Sequence, residues 1–470
     1  MTASSPLSPS TDVHRPAFHL TPVATWMNDP NGLIRHDDVW HAFFQENPFG
    51  STHANLSWGH AVSRDLATWE NLPVALPCSE TEQIFSGSAV HDAQNSSGLG
   101  AEGGPGPLVA IYTSAYAPDH ATHPGIQAQS LAFSEDGGAT WTYAADNPVL
   151  DRGSSDFRDP KVFLHAETGR WVMIAVEALD QKVMIHTSEN LRDWELASEF
   201  AFPDIDGGVW ECPDLVRVPG PDGDPVWVLI LSTNPGGPAG GSGTWTLIGD
   251  FDGRTFTTSA RPAPLDLGQD NYAAVSFSGV EGRPVILGWM NNWDYAQHTP
   301  TGPWRSSMTL PRELDVVPGA DGRLELRGRL RVPAAIPAID VSVPAEPGPV
   351  GEVRVPSTEP FLLQGTLRTD AAHRIVLRFG TEPAAPELVV EVDGEGSITL
   401  DRGAAHRQEF APAFARSLPY QPAAPGDPVA FRLVVDRSTV ELELEDGRAV
   451  ISQQIFPGGG EVTLRVDPPR

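Results

Sequence analysis

The chain has 470 residues, of which 40% are hydrophobic and 20% are charged, and its formal net charge is −30 at pH 7. This composition predicts a soluble, folded protein with room for more than one buried core, and it excludes a disordered chain. The acidic balance disfavours nucleic acids and anionic membrane surfaces as partners.

The N-terminal stretch has no basic segment followed by an apolar core, and no run reaches the roughly 20 apolar residues of a membrane span. We therefore expect a cytoplasmic protein that does not enter a membrane. Only Cys78 and Cys212 are cysteines, so no disulfide framework is expected, and we interpret Cys212 as a small buried residue. The histidines lack a ligand spacing such as H-E-x-x-H, so we predict no metal site and no cofactor.

After a predicted tail over residues 1–15, pairs of strands separated by turns recur through residues 16–315. These pairs lie at 32–45, 86–116, 160–177, 213–232 and 273–291. Turns that open on Ser and an acidic or polar residue and close on a tryptophan, such as "SRDLATW", recur between them. The spacing admits one four-stranded blade per unit, so the pattern predicts a five-bladed β-propeller.

The pattern changes after residue 315. Residues 316–339 are rich in proline and glycine, and we interpret them as a linker that contains short strands. From residue 340 to 470, runs such as "RIVLRFG" and "STVELELEDG" alternate polar and apolar positions between turn residues. This alternation is typical of a β-sandwich. The sequence thus predicts an all-β fold, with a five-bladed β-propeller followed by a C-terminal β-sandwich.

Three acidic residues occupy matching positions ahead of the first strand of a pair. Asp29 lies in "WMNDPNGL", Asp159 in "FRDPKVF" and Glu211 in "WECPDL". Each lies one or two residues before a proline and one to three residues after an aromatic residue. Because equivalent positions of propeller blades converge at the axis, we expect the three carboxylates to meet in one funnel.

Such a cluster is costly, because burial and like charges both disfavour ionised carboxylates, so we expect a function to require it. A calcium or magnesium site would need more oxygen ligands, often from one close-set acidic loop. Glycoside hydrolysis needs two carboxyl groups, about 5–5.5 Å apart for retention and about 6.5–9.5 Å apart for inversion. The neighbouring aromatic residues fit sugar chemistry better than a metal site, and we expect Arg158 to keep Asp159 ionised.

The three motifs resemble those of glycoside hydrolase family 32, the β-fructofuranosidases, in its exo-inulinase and levanase branch. The resemblance covers nearly the whole chain, and the three motifs together, in this order and at these spacings, are specific. It implies that Asp29 is the nucleophile, that Asp159 stabilises the transition state, and that Glu211 is the acid/base catalyst.

The resemblance also implies which residues surround the bound fructosyl unit. They lie in the acid motifs and in "FFQENPFG", "LSWGHAV", "IFSGSAV" and "GWMNNWDY". The implied substrate-binding residues are Asn28, Gln45, Trp58, Phe85, Ser86, Arg158 and Trp293, with Trp289 as the competing choice for the pocket wall.

We therefore expect a retaining exo-glycosidase that hydrolyses terminal non-reducing β-D-fructofuranosyl residues of inulin, levan, fructo-oligosaccharides and sucrose, with a mildly acidic pH optimum. The expected partners are small or polymeric carbohydrates, and the sequence predicts no particular oligomeric state. Three alternatives stay open at this point. They are a fructosyltransferase using the same covalent intermediate, a non-catalytic fructan-binding protein, and an arabinan-cleaving five-bladed relative.

Overall fold

The computed structural model describes residues 12–342, 348–382, 384–405, 413–414, 417–422, 424 and 426–467. In this part of the chain the fold is all-β, and its helices are two short 3-10 helices, Ala296–His298 and Glu445–Gly447. No helix within these ranges is long and apolar enough to cross a membrane. Most of the predicted tail, residues 1–11, lies outside the described residues.

The strands up to residue 330 form five antiparallel sheets, whose members follow chain order. The first sheet contains β1 (Trp26–His36), β2 (Val39–Asn47), β3 (Ser57–Ser63) and β4 (Glu70–Leu76). The second contains β5 (Glu82–His91), β6 (Leu108–Tyr116), β7 (Gln127–Ser134) and β8 (Thr142–Tyr143). The third contains β9 (Phe157–His165), β10 (Arg170–Glu177), β11 (Lys182–Ser188) and β12 (Glu195–Phe200).

The fourth sheet contains β13 (Val209–Pro219), β14 (Pro225–Asn234), β15 (Gly243–Phe251), β16 (Phe256–Thr257) and β17 (Ala263–Pro264). The fifth contains β18 (Tyr272–Ser276), β19 (Val285–Trp289), β20 (Arg312–Pro318) and β21 (Leu324–Leu330). Strand β21 and the end of β20 lie within 316–339, the stretch interpreted from sequence as a linker. Their residues pair at seven positions, so the part of this stretch up to Leu330 belongs to the fifth sheet. The division into domains at 315/316 and 339/340 stays a prediction.

Local sequence explains the hairpins. Asp37 and Asp38 form the two-residue turn between β1 and β2 with φ of +47° and +61°. A tight hairpin turn of this kind requires positive φ at both central residues, and aspartate tolerates that conformation better than most residues. In β10, the apolar run from Trp171 to Val176 is buried throughout, as expected of a strand covered on both faces.

The first strands of the five sheets contact one another in cyclic order. Strand β1 contacts β5, β5 contacts β9, β9 contacts β13, β13 contacts β18, and β18 contacts β1. A buried ion pair joins three of them, since Lys161 Nζ lies 3.2 Å from Asp214 Oδ2 and donates to Ser276 O at 2.5 Å. The first strand of each sheet therefore contacts the first strands of two other sheets.

The last two sheets share one apolar core. One contains β22 (Ala338–Ser342), β24 (Phe361–Leu367), β28 (Val429–Asp436), β29 (Thr439–Leu444) and β30 (Ala449–Gln454). The other contains β23 (Gly348–Pro356), β25 (His373–Phe379), β26 (Glu387–Val392), β27 (Ile398–Ala404) and β31 (Glu461–Asp467). Phe361 and Leu433 from the first sheet pack with Leu377 and Leu400 from the second. Burying each such side chain contributes about 1.5–3 kcal/mol.

Candidate active site

The first strands of the five sheets share an irregularity near their N-terminal ends, where the pairing with the second strand shifts at a β-bulge. The bulges lie at Met27–Pro30 in β1, Phe85–Gly87 in β5, Arg158–Lys161 in β9, Glu211–Asp214 in β13 and Tyr272–Val275 in β18. A bulge redirects neighbouring side chains and is common beside active sites. Each of the three acids predicted from the sequence lies at a different one of these bulges.

Three bulges contain a non-glycine residue with positive φ, namely Asp159 at +62°, Cys212 at +47° and Ala273 at +53°. Such conformations cost about 1–3 kcal/mol each and need support from their surroundings. Each strained residue donates its backbone N–H to a side-chain oxygen. Asp159 N bonds Thr113 Oγ1 at 2.9 Å, Cys212 N bonds Asp159 Oδ2 at 2.9 Å, and Ala273 N bonds Ser232 Oγ at 3.0 Å.

Only one oxygen of the Asp29 carboxylate, Oδ2, has hydrogen-bond partners among the described residues. Ser86 Oγ donates to Asp29 Oδ2 at 2.8 Å, and Cys212 Sγ lies 3.5 Å from the same oxygen. The other oxygen, Oδ1, is buried and has no hydrogen-bond partner among the described residues. Cys212 is buried, as interpreted from sequence, but it also bridges two acids, because its Sγ lies 3.7 Å from Asp159 Oδ2.

Glu211 lies beside this bridge, with its side chain 22% exposed. Arg158 binds its Oε1 through Nε at 3.2 Å and Nη2 at 3.0 Å, and the hydroxyl of Tyr272 donates to Oε2. The sequence predicts that Arg158 pairs with Asp159. Arg158 Nε lies 3.9 Å from Asp159 Oδ2, however, which is farther than its 3.2 Å distance to Glu211 Oε1. Both side chains reach β13, but they bond different residues there, because the guanidinium of Arg158 binds Glu211 and the carboxylate of Asp159 accepts from Cys212 N.

Burial dominates the electrostatics of the two aspartates. It raises the pKa of Asp29, and repulsion from Glu211 adds to this, whereas the neighbouring polar side chains of Asn28, Ser86 and Cys212 oppose it. Burial also raises the pKa of Asp159 to about 7, against the opposing charge of Arg158. Arg158 therefore favours the ionised form of Asp159, in the direction expected from sequence, but its charge does not offset the effect of burial on this pKa.

An aromatic wall flanks the acids. The rings of Trp26 and Trp293 stack with centroids 6.0 Å apart, Trp289 lies 4.9 Å from Trp293, and His53 lies 4.9 Å from Trp293. Trp289 is fully buried, whereas Trp293 is partly exposed. Of the two candidates for the pocket wall, Trp293 is therefore the one with exposed surface. Its indole Nε1 has no hydrogen-bond partner in the described part of the chain.

The remaining predicted binding residues lie on the first two sheets. Gln45 Nε2 donates to Ile84 O at 3.0 Å, and its buried Oε1 has no partner among the described residues. Asn28 Oδ1 accepts from Trp26 Nε1 at 2.7 Å. Trp58 is fully buried and donates to the carbonyl of Phe85 at 3.0 Å, so it supports the strand that carries Phe85 and Ser86.

The glycine of "WMNDPNGL" is Gly32, and the packing around it accounts for the absence of a side chain. Its φ is +52°, and a Cβ there would lie 2.7 Å from the ring of Trp58 and 2.8 Å from that of Phe43. A side chain at this position would therefore collide with two buried rings beneath β1. Glycine lets β1 lie directly on the tryptophan that supports the neighbouring strand.

Sequence reasoning missed Tyr272 and Thr113. Both act on the predicted acids, Tyr272 through its hydroxyl and Thr113 through its bond to Asp159 N. A signal for Tyr272 was present, because "NYAAVS" at the start of the fifth strand pair occupies the place of "WECPDL" in the fourth. Thr113 lies in the middle of an ordinary apolar strand, where no local pattern distinguishes it.

Comparison with known proteins agrees with this geometry. The model of the glycosyl hydrolases family 32 N-terminal domain matches residues 19–326, and that of the family 32 C-terminal domain matches residues 368–467. A levanase from Bacillus subtilis is 39% identical over 94% of this chain, which spans 66% of the levanase. An extracellular exo-inulinase from Aspergillus awamori is 38% identical over 96% of this chain and 91% of that enzyme.

Solved structures show the same similarity. The crystal structure of exo-inulinase from Aspergillus awamori has a TM-score of 0.83 at 35% identity and covers 98% of both chains. A fructofuranosidase from Schwanniomyces occidentalis complexed with fructose has a TM-score of 0.83 at 31% identity, over 98% of this chain and 97% of that one. The fold and the acid cluster thus define a glycoside hydrolase. The chain belongs to glycosyl hydrolase family 32.

The expected cytoplasmic location is contradicted by these relatives. Exo-inulinases that match 96% of this chain, from Aspergillus awamori and Aspergillus ficuum, are named extracellular enzymes. The expectation rested only on the composition of the first residues, which says nothing about where a catalytic domain works.

Proposed function

We propose that this chain is a retaining exo-hydrolase that removes terminal non-reducing β-D-fructofuranosyl units from inulin, levan, fructo-oligosaccharides and sucrose. The observation that carries the proposal is the linked set of three carboxylates, in which Cys212 touches Asp29 and Asp159 and Arg158 touches Glu211. The levanase and exo-inulinase relatives support the choice of fructans as substrates. An invertase from Debaryomyces hansenii, 44% identical over 64% of the chain, supports sucrose.

The architecture in this proposal is a five-bladed β-propeller followed by a β-sandwich. The cyclic order of contacts among the first strands of the five sheets supports the propeller, and the shared core of the last two sheets supports the sandwich. In a propeller, the N-terminal ends of the innermost strands surround the axis. The three acids then line a funnel of which Trp293 and Trp26 form one side.

In the first step, Asp29 Oδ1 attacks the anomeric carbon of the fructosyl unit, and the glycosidic C–O bond breaks. Glu211 gives its proton to the leaving oxygen, so a fructosyl ester of Asp29 and a free alcohol result. The hydrogen bond from Ser86 fixes Oδ2, whereas Oδ1 has no hydrogen-bond partner among the described residues. Oδ1 is therefore the oxygen suited to attack. Asp159 binds ring hydroxyls and favours the oxocarbenium-like transition state.

In the second step, water attacks the same carbon from the face that the leaving group vacated. Glu211, now ionised, takes the proton of the water, and the ester bond to Asp29 breaks, which restores both groups. Arg158 and Tyr272 both donate to Glu211, so they stabilise the carboxylate that acts as base in this step. Asn28, Gln45, Phe85, Ser86 and Trp293 hold the fructosyl ring, and Trp58 supports them from below.

Incubation of the purified protein with sucrose, inulin and levan, followed by chromatography, tests the proposal. We expect fructose as the sole new product from both polymers, with glucose as its partner from sucrose. Oligosaccharides released from the polymers would indicate endo cleavage, and longer products from sucrose would indicate a transferase. Absence of products from all three substrates would contradict the proposal outright.

Ser86→Ala should move the acid limb of the pH profile of kcat/KM to higher pH by about one unit. Asp29 must be ionised to attack, its pKa is already raised from 3.8, and the bond from Ser86 is one of the contacts that lower it. Removing that bond raises the pKa further, so the active form appears only at higher pH. The measurement is kcat/KM for sucrose between pH 3 and 8.

Ser88→Ala is the matched control on the same strand. The hydroxyl of Ser88 donates to Pro160 O at 2.9 Å and accepts from Val162 N at 2.9 Å, so this change removes bonds to backbone only. We expect a lower melting temperature and an unchanged acid limb for this variant. An acid limb that stays in place in Ser86→Ala would contradict the assignment of Asp29.

A further inference from the structure

We infer that Arg402, which lies on β27 in the last pair of sheets, is a positioning residue for the reaction. It acts on two loops of the first five sheets, one leading to Tyr272 and the other carrying Trp293. The inference rests on the proposed function, because it assigns Arg402 to the alignment of Glu211 and of the pocket wall.

The guanidinium of Arg402 is fully buried and joins both parts of the molecule. Its bonds run to the carboxylate of Asp270, to Gln454 O at 2.9 Å, to Gln269 Oε1 at 2.9 Å and to the hydroxyl of Tyr295 at 2.8 Å. Its central carbon lies 3.7 Å from the ring centroid of Phe414. One cation thereby fixes two loops that are separate in sequence.

The first loop leads to Glu211. Asp270 lies two residues before Tyr272, and its Oδ2 accepts from Arg402 and from Gln454 N, the latter at 2.7 Å. Tyr272 then donates its hydroxyl to Glu211. A shift of Asp270 along the chain direction would therefore move the phenol that holds one oxygen of the proposed acid/base catalyst.

The second loop carries the pocket wall. Tyr295 lies two residues after Trp293, and its hydroxyl bonds both Asp270 and Arg402. Asn292 in the same loop donates to Ser242 O, immediately before β15, at 2.9 Å and to Gln269 O at 2.9 Å. The loop that carries Trp293 therefore contacts the same residues that surround Asp270.

Charge makes Arg402 hard to replace. Asp270 is fully buried, and Arg402 is the cation paired with it. A buried carboxylate that loses its cation must rearrange or draw in water, so both loops would move. The planar guanidinium bonds groups on both loops at once, whereas lysine supplies the charge from a single point.

The test compares Arg402→Met, Arg402→Lys and Tyr295→Phe with the wild type, using sucrose and inulin at a temperature where circular dichroism shows each variant folded. We expect Arg402→Met to lower kcat/KM by about 10²-fold, with a lower kcat and a higher KM, because small misplacements of reacting groups have effects of this size. Arg402→Lys should recover about tenfold of this loss. Tyr295→Phe, which keeps its ring against Phe414, should raise KM about fivefold.

Arg432→Met is the matched control at the same junction. Arg432 donates to Glu443 Oε2 at 2.6 Å and to Leu330 O at 3.1 Å, so it links the last sheets to the end of β21. We expect a lower melting temperature with kcat and KM within twofold of the wild type. Equal kinetic losses in Arg432→Met and Arg402→Met would overturn the inference, because they would reflect the junction as a whole.

A folded Arg402→Met variant with unchanged kcat and KM would also overturn it. If Arg402→Met does not fold, Tyr295→Phe decides, and a KM within twofold of the wild type rejects the inference. The wild type separates this result from the proposed function. A wild type that releases no fructose contradicts the function, whereas an active wild type with unaffected variants contradicts the positioning role alone.

Discussion

Asp29→Ala should lower kcat/KM for sucrose by on the order of 10⁴-fold, which corresponds to about 5.4 kcal/mol of transition-state stabilisation. The variant lacks the oxygen that forms the fructosyl ester, and no other described carboxylate occupies its place on β1. Asp159 has a separate role in the proposed reaction, the binding of ring hydroxyls, and its Oδ2 is bonded to Cys212 N. Initial rates of glucose release, corrected for the folded fraction, measure the loss.

Added azide gives this prediction a stereochemical test. With Asp29 removed, azide can attack the anomeric carbon from the face that Asp29 would use, so fructosyl azide with inverted configuration should form. The control is Asp92→Asn, since Asp92 is a buried aspartate that accepts from Ser96 N and Ser97 N in the loop between β5 and β6. We expect Asp92→Asn to lose stability but to keep its kcat. Azide product of retained configuration from Asp29→Ala would contradict the nucleophile assignment.

The positions of the three acids could be predicted from sequence because each is determined locally. The proline, the preceding aromatic residue and the following alternation recur at Asp29, Asp159 and Glu211. The structure adds that each position is a β-bulge, and that the same bulge occurs in β5 and β18. Aligning all five strand starts would have placed Ser86 and Tyr272 beside the acids.

The partners of the acids could not be predicted, because they depend on contacts between distant residues. Arg158 is next to Asp159 in sequence, but its guanidinium bonds Glu211, which is 53 residues away. The bond from Tyr272 to Glu211 spans 61 residues, and that from Arg402 to Asp270 spans 132. Such pairs are set by how sheets pack, and hydrophobic periodicity carries no information about them.

The fifth sheet shows the same limit. Residues 316–339 contain enough proline and glycine to resemble a linker, yet Arg327 and Arg329 on β21 bind Asp315 on β20 at 2.8 Å and 2.9 Å. These contacts, with an antiparallel ladder of seven pairs, keep the segment in a sheet. The sequence predicts short strands in this segment, but it does not predict that they pair within the fifth sheet.

Glu211→Gln should lower kcat for sucrose by about 10³–10⁴-fold, because the amide can neither protonate the leaving oxygen nor deprotonate water. The two steps of the reaction respond differently to the leaving group. A nitrophenyl fructoside needs little proton assistance to lose nitrophenolate, so its first step should stay fast while hydrolysis of the ester becomes slow. Rapid-mixing measurements should then show a burst of about one nitrophenolate per enzyme, followed by a slow steady state.

Mass spectrometry of the quenched enzyme completes this argument. The slow second step should allow the fructosyl ester to accumulate, and peptide mapping should locate it on Asp29. Glu313→Gln is the control, since Glu313 is a half-buried glutamate of β20 that pairs with Arg331 at 3.3 Å, and its loss should leave both steps unchanged. Equal losses on sucrose and on the nitrophenyl fructoside, with no burst, would show that Glu211 does not act on the leaving group. A burst with the ester on Asp29 would establish both carboxylates in their separate roles, because the nucleophile must be intact for the ester to form and the acid/base must be absent for it to persist.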